Sequence, residues 1–200
     1  LNIWVQSHDL YLQALIKAVG LIGLFAIVFA ESGLLIGFFL PGDSLLFTAG
    51  FLASQGYFNI AILAIITFIA AVLGDSTGYT FGKRVGRKLF SRDDSFFFKK
   101  ANLIKAEEFY KKHGVKTIVL ARFVPIVRTF APIVAGASDM HYKTFISYNV
   151  IGGFLWTFGM SFGGFFLGSI IPDVDKYLLP IIFLIVFLSL LPPIIEFIKD

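Results

Sequence analysis

Residues 31–57 read ESGLLIGFFLPGDSLLFTAGFLASQGY, an apolar stretch interrupted at its centre by Pro41, Gly42 and Asp43. The arm on either side holds only about ten residues, roughly half of what a bilayer-spanning helix needs. Pro41 removes a helical N–H, Gly42 permits a turn, and Asp43 or Ser44 can cap the helix that follows. The stretch therefore predicts a re-entrant helical hairpin over residues 31–58, with its tip inside the membrane. Such backbone is tolerated at depth only when packed in protein or facing a wet cavity.

A second broken stretch lies at residues 117–139, TIVLARFVPIVRTFAPIVAGASD. Two arginines (Arg122 and Arg128) and two prolines (Pro125 and Pro132) make it a poor simple span. It predicts a second hairpin over residues 117–140. Around the two hairpins, apolar runs with few charges predict transmembrane helices at residues 12–30, 59–82, 143–171 and 178–198. Residues 1–11 form an interfacial segment in which Trp4 and Tyr11 suit the headgroup level. Lys17 is near enough to the start of its helix to snorkel. The fold class expected is an all-α polytopic membrane protein, one membrane domain over residues 1–200.

Composition leads to the same place. Hydrophobic residues make up 57% of the chain and charged residues 15%, against roughly 45–50% and 25% in soluble domains. Mean hydropathy is +0.83. With Cys absent, disulfides, thiolate metal sites and cysteine nucleophiles drop out. The three His are far apart in sequence, and none forms an H-E-x-x-H pattern. Neither a cofactor nor a metal site is expected, and an enzyme is the least favoured class. No basic n-region or A-x-A site precedes the first apolar run, so a removable signal peptide is not expected. The fragment GYTFGKR has one spacer too few for a phosphate loop and no Ser or Thr after its Lys.

The net charge of +4 is concentrated rather than spread. Eleven of the 17 Lys and Arg lie in residues 83–116. This reads as a cytoplasmic loop, not a nucleic-acid surface. Its Glu107–Lys111 and Glu108–Lys112 pairs and its aromatic residues predict an amphipathic helix on the leaflet. With that loop inside, both termini are cytoplasmic, Asn59 and Asp173 lie outside, and the two hairpins dip from opposite faces. Oppositely oriented broken helices that meet near the midplane are the plan of inverted-repeat transporters. Small-residue spacings at Gly74, Gly78, Gly82 and Gly86, and at Gly159/Gly163 and Gly164/Gly168, predict close helix packing.

Charge at membrane depth is expensive, so each such group calls for a reason. The first hairpin carries Glu31 and Asp43, the second Arg122 and Arg128, and Asp75 falls late in the third segment, where an interfacial or capping role suits it. The plain interpretation is a set of ion pairs fixing one hairpin against the other. Buried pairs, however, often add little net stability, and Arg is the side chain best suited to grip phosphate with two parallel bonds. Pro41, Gly42, Pro125 and Pro132 are assigned to hairpin geometry.

At these residues the chain resembles the DedA family of bacterial inner-membrane proteins, also described as SNARE-associated or VTT-domain proteins. Glu31, the PGDSLLFTAG stretch from Pro41, the ARFVPIVRTFAPIVAG stretch from Ala121 and the YNVIGG…W run from Tyr148 to Trp156 carry the likeness, over roughly residues 20–170. The resemblance implies two re-entrant hairpins and a flippase for undecaprenyl phosphate or a phospholipid, driven by the proton-motive force. It implies that Arg122 and Arg128 hold the phosphate and that Glu31 and Asp43 couple protons, with Asp75 a secondary candidate. Lipid and protons are the partners implied, with no nucleic acid, and self-association is compatible with the sequence. Two rivals predict different behaviour. A proton-coupled cation or drug exporter would be indifferent to lipid phosphate, and a membrane scaffold for envelope maintenance and cell division would tolerate charge-swapped hairpins.

Overall fold

The structure, a computed structural model, describes residues 20–34, 42–85, 108, 113–138 and 140–170, with the backbone alone at Pro125 and Ile126. The expected interfacial segment at 1–11, the hairpin residue Pro41, nearly all of the basic loop and the last span at 178–198 lie outside the described residues. Among the described residues all regular structure is helical. In chain order the helices are α1 (Gly20–Gly33), α2 (Gly42–Ser54), α3 (Ile60–Val85), α4 (Thr117–Leu120), α5 (Pro125–Ala137) and α6 (Tyr142–Ile170). Short 3-10 turns at Gly114–Lys116 and Ala121–Phe123 flank α4.

Two of these helices form the frame. α3 has 26 residues and α6 has 29, and both are long and apolar enough to cross a membrane. At 1.5 Å per residue each exceeds the roughly 30 Å of a hydrocarbon core. Asn59 begins α3 by accepting the N–H groups of Ala61 and Ile62 at 3.0 and 3.2 Å, and Lys83 and Arg84 lie in its last turn. Their outward faces are apolar: Ile62, Ile65, Ile69 and Leu73 on α3, and Ile151, Phe154, Leu155 and Phe166 on α6, are exposed. Two buried hydroxyls on the inward faces are absorbed by their own helices. Thr67 and Thr157 each donate to the carbonyl four residues back at 2.8 Å, which satisfies them without water.

The element boundaries correct the sequence expectations in three places. The first helix does not stop at residue 30 but continues through Gly33, so Glu31 occupies its last turn instead of opening a hairpin. A paired carboxylate need not end a helix. α3 runs three residues beyond the expected 82, and α6 begins one residue before the expected start. Residues 117–140 are broken as expected. Val124 is extended (φ −124, ψ 105), the conformation to which a residue before proline is driven. Pro125 then starts α5, where its missing N–H has no intrahelical partner to lose.

The short helices pack on the frame. α2 packs along α6, and α5 packs along α3. Glycine makes both contacts close. A Cβ at Gly164 would meet the Phe47 backbone, one at Gly50 the Ser161 backbone, and one at Gly136 the Tyr79 backbone. Gly33 of α1 and Gly74 of α3 face each other so closely that a Cβ on the first would lie 2.8 Å from the second's Cα. Gly74, Gly78 and Gly82 thus form a packing face, as their spacing predicts, whereas Gly86 lies outside the described residues. Gly159 is a correction: among the described residues nothing lies within 4 Å of its would-be Cβ. The pair gives a measurable contrast. A Cβ at Gly82 would stand 2.8 and 2.9 Å from the Ile133 carbonyl carbon and Cα, and backbone cannot yield as a side chain can. Gly82→Ala is expected to destabilise by about 1–3 kcal/mol, read as a lower melting temperature in detergent, with Gly159→Ala unchanged.

Candidate functional site

Five charged side chains converge where the helices meet. Arg128, one turn into α5, uses both arms of its guanidinium. Nη1 donates to Asp43 Oδ1 at 2.9 Å, and Nη2 donates to Glu31 Oε1. Glu31 comes from the last turn of α1 and Asp43 from the first turn of α2, so one arginine ties together the two ends of the first broken segment. Gly42 makes room for this, since a Cβ there would overlap the Glu31 carboxylate.

Arg122, in the turn before α5, belongs to a second cluster. Its Nη2 donates to Asp75 Oδ2 of α3 and to Asn149 Oδ1 of α6, both at 2.5 Å. Asn149 Nδ2 in turn donates to the Val72 carbonyl at 3.1 Å, which fixes the amide's orientation. Gly152 and Gly153 keep that side of α6 flat enough for the guanidinium stem to lie against it, their would-be Cβ atoms falling 3.1–3.5 Å from Arg122 atoms. Trp156 joins the clusters. Its Nε1–H donates to Asp43 Oδ1 at 2.6 Å. Its ring centroid lies 5.0 Å from Arg128 Cζ and 5.9 Å from Arg122 Cζ, within cation–π range.

Burial separates the members. Glu31, Asp75, Arg122 and Arg128 are all buried, whereas the Asp43 side chain is 41% exposed. Asp43 is therefore the open edge of the site. Three carboxylates face two arginines, an excess of one negative charge if all are ionised. Yet donor capacity is left over: among the described residues Arg122 Nε and Nη1 and Arg128 Nε are buried without an acceptor, as Glu31 Oε2 and Asp75 Oδ1 are without a donor. Buried polar groups are rarely left unpaired without cause.

The structure brings Glu31, Asp43, Arg122 and Arg128 together. It also assigns partners that the sequence left open, Glu31 and Asp43 to Arg128 and Asp75 to Arg122. Two expectations need correction. Asp75 has no interfacial or capping role; it sits buried in the interior of α3 as the counter-charge of Arg122. Asp43 is in the first turn of α2, but its bonded oxygen serves Arg128 and Trp156. Pro132 is inside α5 and faces Gly78, 3.4 Å from its would-be Cβ. Asn149 and Trp156 were not singled out as site residues. Their seven-residue separation puts them on one face of an apolar span, a polar signal that lacks charge to announce it.

Comparison with known proteins gives the family of the chain. The VTT domain model matches residues 40–166. The chain is 47% identical to Protein DedA of Escherichia coli (strain K12), over 98% of the chain and 91% of that protein. An "Uncharacterized membrane protein" of Mycobacterium leprae (strain TN) is 42% identical over 96% of the chain and 83% of its own length. Inner membrane protein YqjA of Escherichia coli (strain K12) is 29% identical over 92% and 87%. No solved structure matches. On the domain match and the near full-length identity, this membrane protein belongs to the DedA family of VTT-domain proteins.

Proposed function

We propose that the chain is a proton-coupled transporter of the bacterial inner membrane that carries a phosphate-headed lipid, undecaprenyl phosphate or a phospholipid, and that it does no covalent chemistry. The observation that carries this reading is Arg128, gripped by two carboxylates of which one, Asp43, is open to the outside of the site. A phosphate oxygen entering at that edge competes with Asp43 for Nη1. Arg128 Nε and the unused Arg122 donors offer further bonds to the remaining oxygens. Because carboxylates already outnumber arginines, an added anion is accommodated best when a proton neutralises Glu31 or Asp43. Protonation and lipid binding then reinforce each other by the same factor. A cation exporter would use the carboxylates alone and leave the arginine donors idle.

Reconstitution in liposomes tests this. Labelled undecaprenyl phosphate, a phospholipid and a neutral-headed lipid of equal chain length would be followed with and without a pH gradient. Phosphate-headed lipids are expected to cross faster, and faster still with the gradient. Glu31→Gln, which has no proton to exchange, is expected to lose the acceleration. Equal rates for the neutral lipid would overturn the reading.

The membrane arrangement we favour has residues 31–58 and 117–140 as re-entrant hairpins entering from opposite faces. α2 and α5 have 13 residues each, about 20 Å of helix, too little to cross a bilayer. Both termini and residues 83–116 would be cytoplasmic, as the lysines and arginines dictate. The chain contains no Cys, so single cysteines serve as clean reporters. Asn59→Cys is expected to react with an impermeant thiol reagent in intact cells, and Ser91→Cys only after permeabilisation. The reverse pattern would reject the orientation.

A further inference from the structure

Trp156 touches three of the five charged groups. Its indole N–H and Arg128 Nη1 donate to the same oxygen, Asp43 Oδ1, and both guanidinium groups lie over its ring. The ring itself is 1% exposed and packed against Val28, Leu46, Ala70 and Ala71. Asp43, by contrast, keeps 41% of its side chain open. An ion pair that exposed would ordinarily hold loosely. Here a second donor, locked in the core and unable to swing away, holds the carboxylate in place. Hydrogen bonds to a charged acceptor are among the stronger ones.

Building on the reading that Arg128 takes a lipid phosphate, we infer that Trp156 is a positioning residue that clamps Asp43 onto Arg128 and so sets how readily the phosphate displaces it. The phosphate and Asp43 compete for the same Nη1. Every increment by which the indole tightens Asp43 is an increment that the phosphate must overcome. The clamp trades affinity for release, which suits a carrier that has to let its lipid go.

The chain has two Trp, at positions 4 and 156, so in a Trp4→Phe background the emission of Trp156 reports its own acceptor. Asp43→Asn is expected to shift that emission, and titration with undecaprenyl phosphate in detergent to shift it in the same direction. Trp156→Phe keeps a ring but lacks the N–H. It is expected to bind undecaprenyl phosphate about threefold to tenfold more tightly, while in an Asp43→Asn background the same substitution changes affinity by less than about twofold. Should Trp156→Phe fold poorly, benzothienylalanine at this position keeps the indole shape with sulfur in place of N–H and is expected to reproduce the gain. Equal effects in both backgrounds, or no effect of either replacement, would overturn the clamp. Absence of saturable binding in the unsubstituted chain would instead overturn the phosphate reading, and the emission response to Asp43→Asn would still decide whether the indole holds Asp43.

Discussion

Arg122→Gln is expected to lower stability by about 3–5 kcal/mol, because it strands the Asp75 carboxylate in the interior without the arginine that bonds it. Asp75 and Arg122 are both almost fully buried, and their contact at 2.5 Å joins α3 to the turn before α5. Asp75→Asn is expected to be damaging in its turn, since it takes from the buried guanidinium the carboxylate that bonds it. The double replacement Arg122→Gln/Asp75→Asn removes both charges and keeps two amides able to bond each other, so more than half of the lost stability should return. A double-mutant cycle on melting temperatures in detergent measures this directly. Independent, additive losses would mean that the pair does not act as a unit. Transport by the double variant is still expected to be low, because the Arg122 donors assigned to phosphate are gone.

Arg128→Lys tests geometry at constant charge. The guanidinium reaches Asp43 with one nitrogen and Glu31 with the other. An ammonium is a single point on a flexible stem and lacks the planar fork that meets two oxygens at once. Transport of undecaprenyl phosphate in liposomes is expected to fall by at least about tenfold, with insertion, expression and helical circular dichroism retained. Normal transport by a well-folded Arg128→Lys protein would favour ion pairs that serve only to hold the helices together.

Much of this is legible in the sequence, and the parts that are not share a cause. Charges at depth and prolines inside apolar runs stand out in one dimension, so Glu31, Asp43, Arg122 and Arg128 could be named together. Their pairing could not, because it depends on how far each residue lies from the end of its helix. Asp75 looked interfacial when α3 was expected to stop at 82. The helix runs to Val85, which puts about 15 Å of helix between Asp75 and that end. Glu31 was placed outside its helix on the strength of its charge, whereas a paired charge lets the helix run on. Asn149 and Trp156 carry no charge at all, and in an apolar span only their shared face set them apart. The glycine spacings were the most informative local signal, although Gly159 fits the pattern and among the described residues packs against nothing.

The order of the charges along the chain has a consequence for biosynthesis. Glu31, Asp43 and Asp75 are all made before Arg122 and Arg128, and the closest pair is separated by 47 residues. At the usual 5–20 residues per second, Asp75 waits about 2 to 10 s for its arginine to leave the ribosome. During that interval the first half of the chain offers the translocon carboxylates with no partner. They must enter the bilayer protonated, or linger at its surface until the second half arrives. The cross-packing of α2 on α6 and α5 on α3 means that neither half can finish folding alone. The nascent protein therefore depends on its insertion machinery, for seconds, to shelter a half-built core.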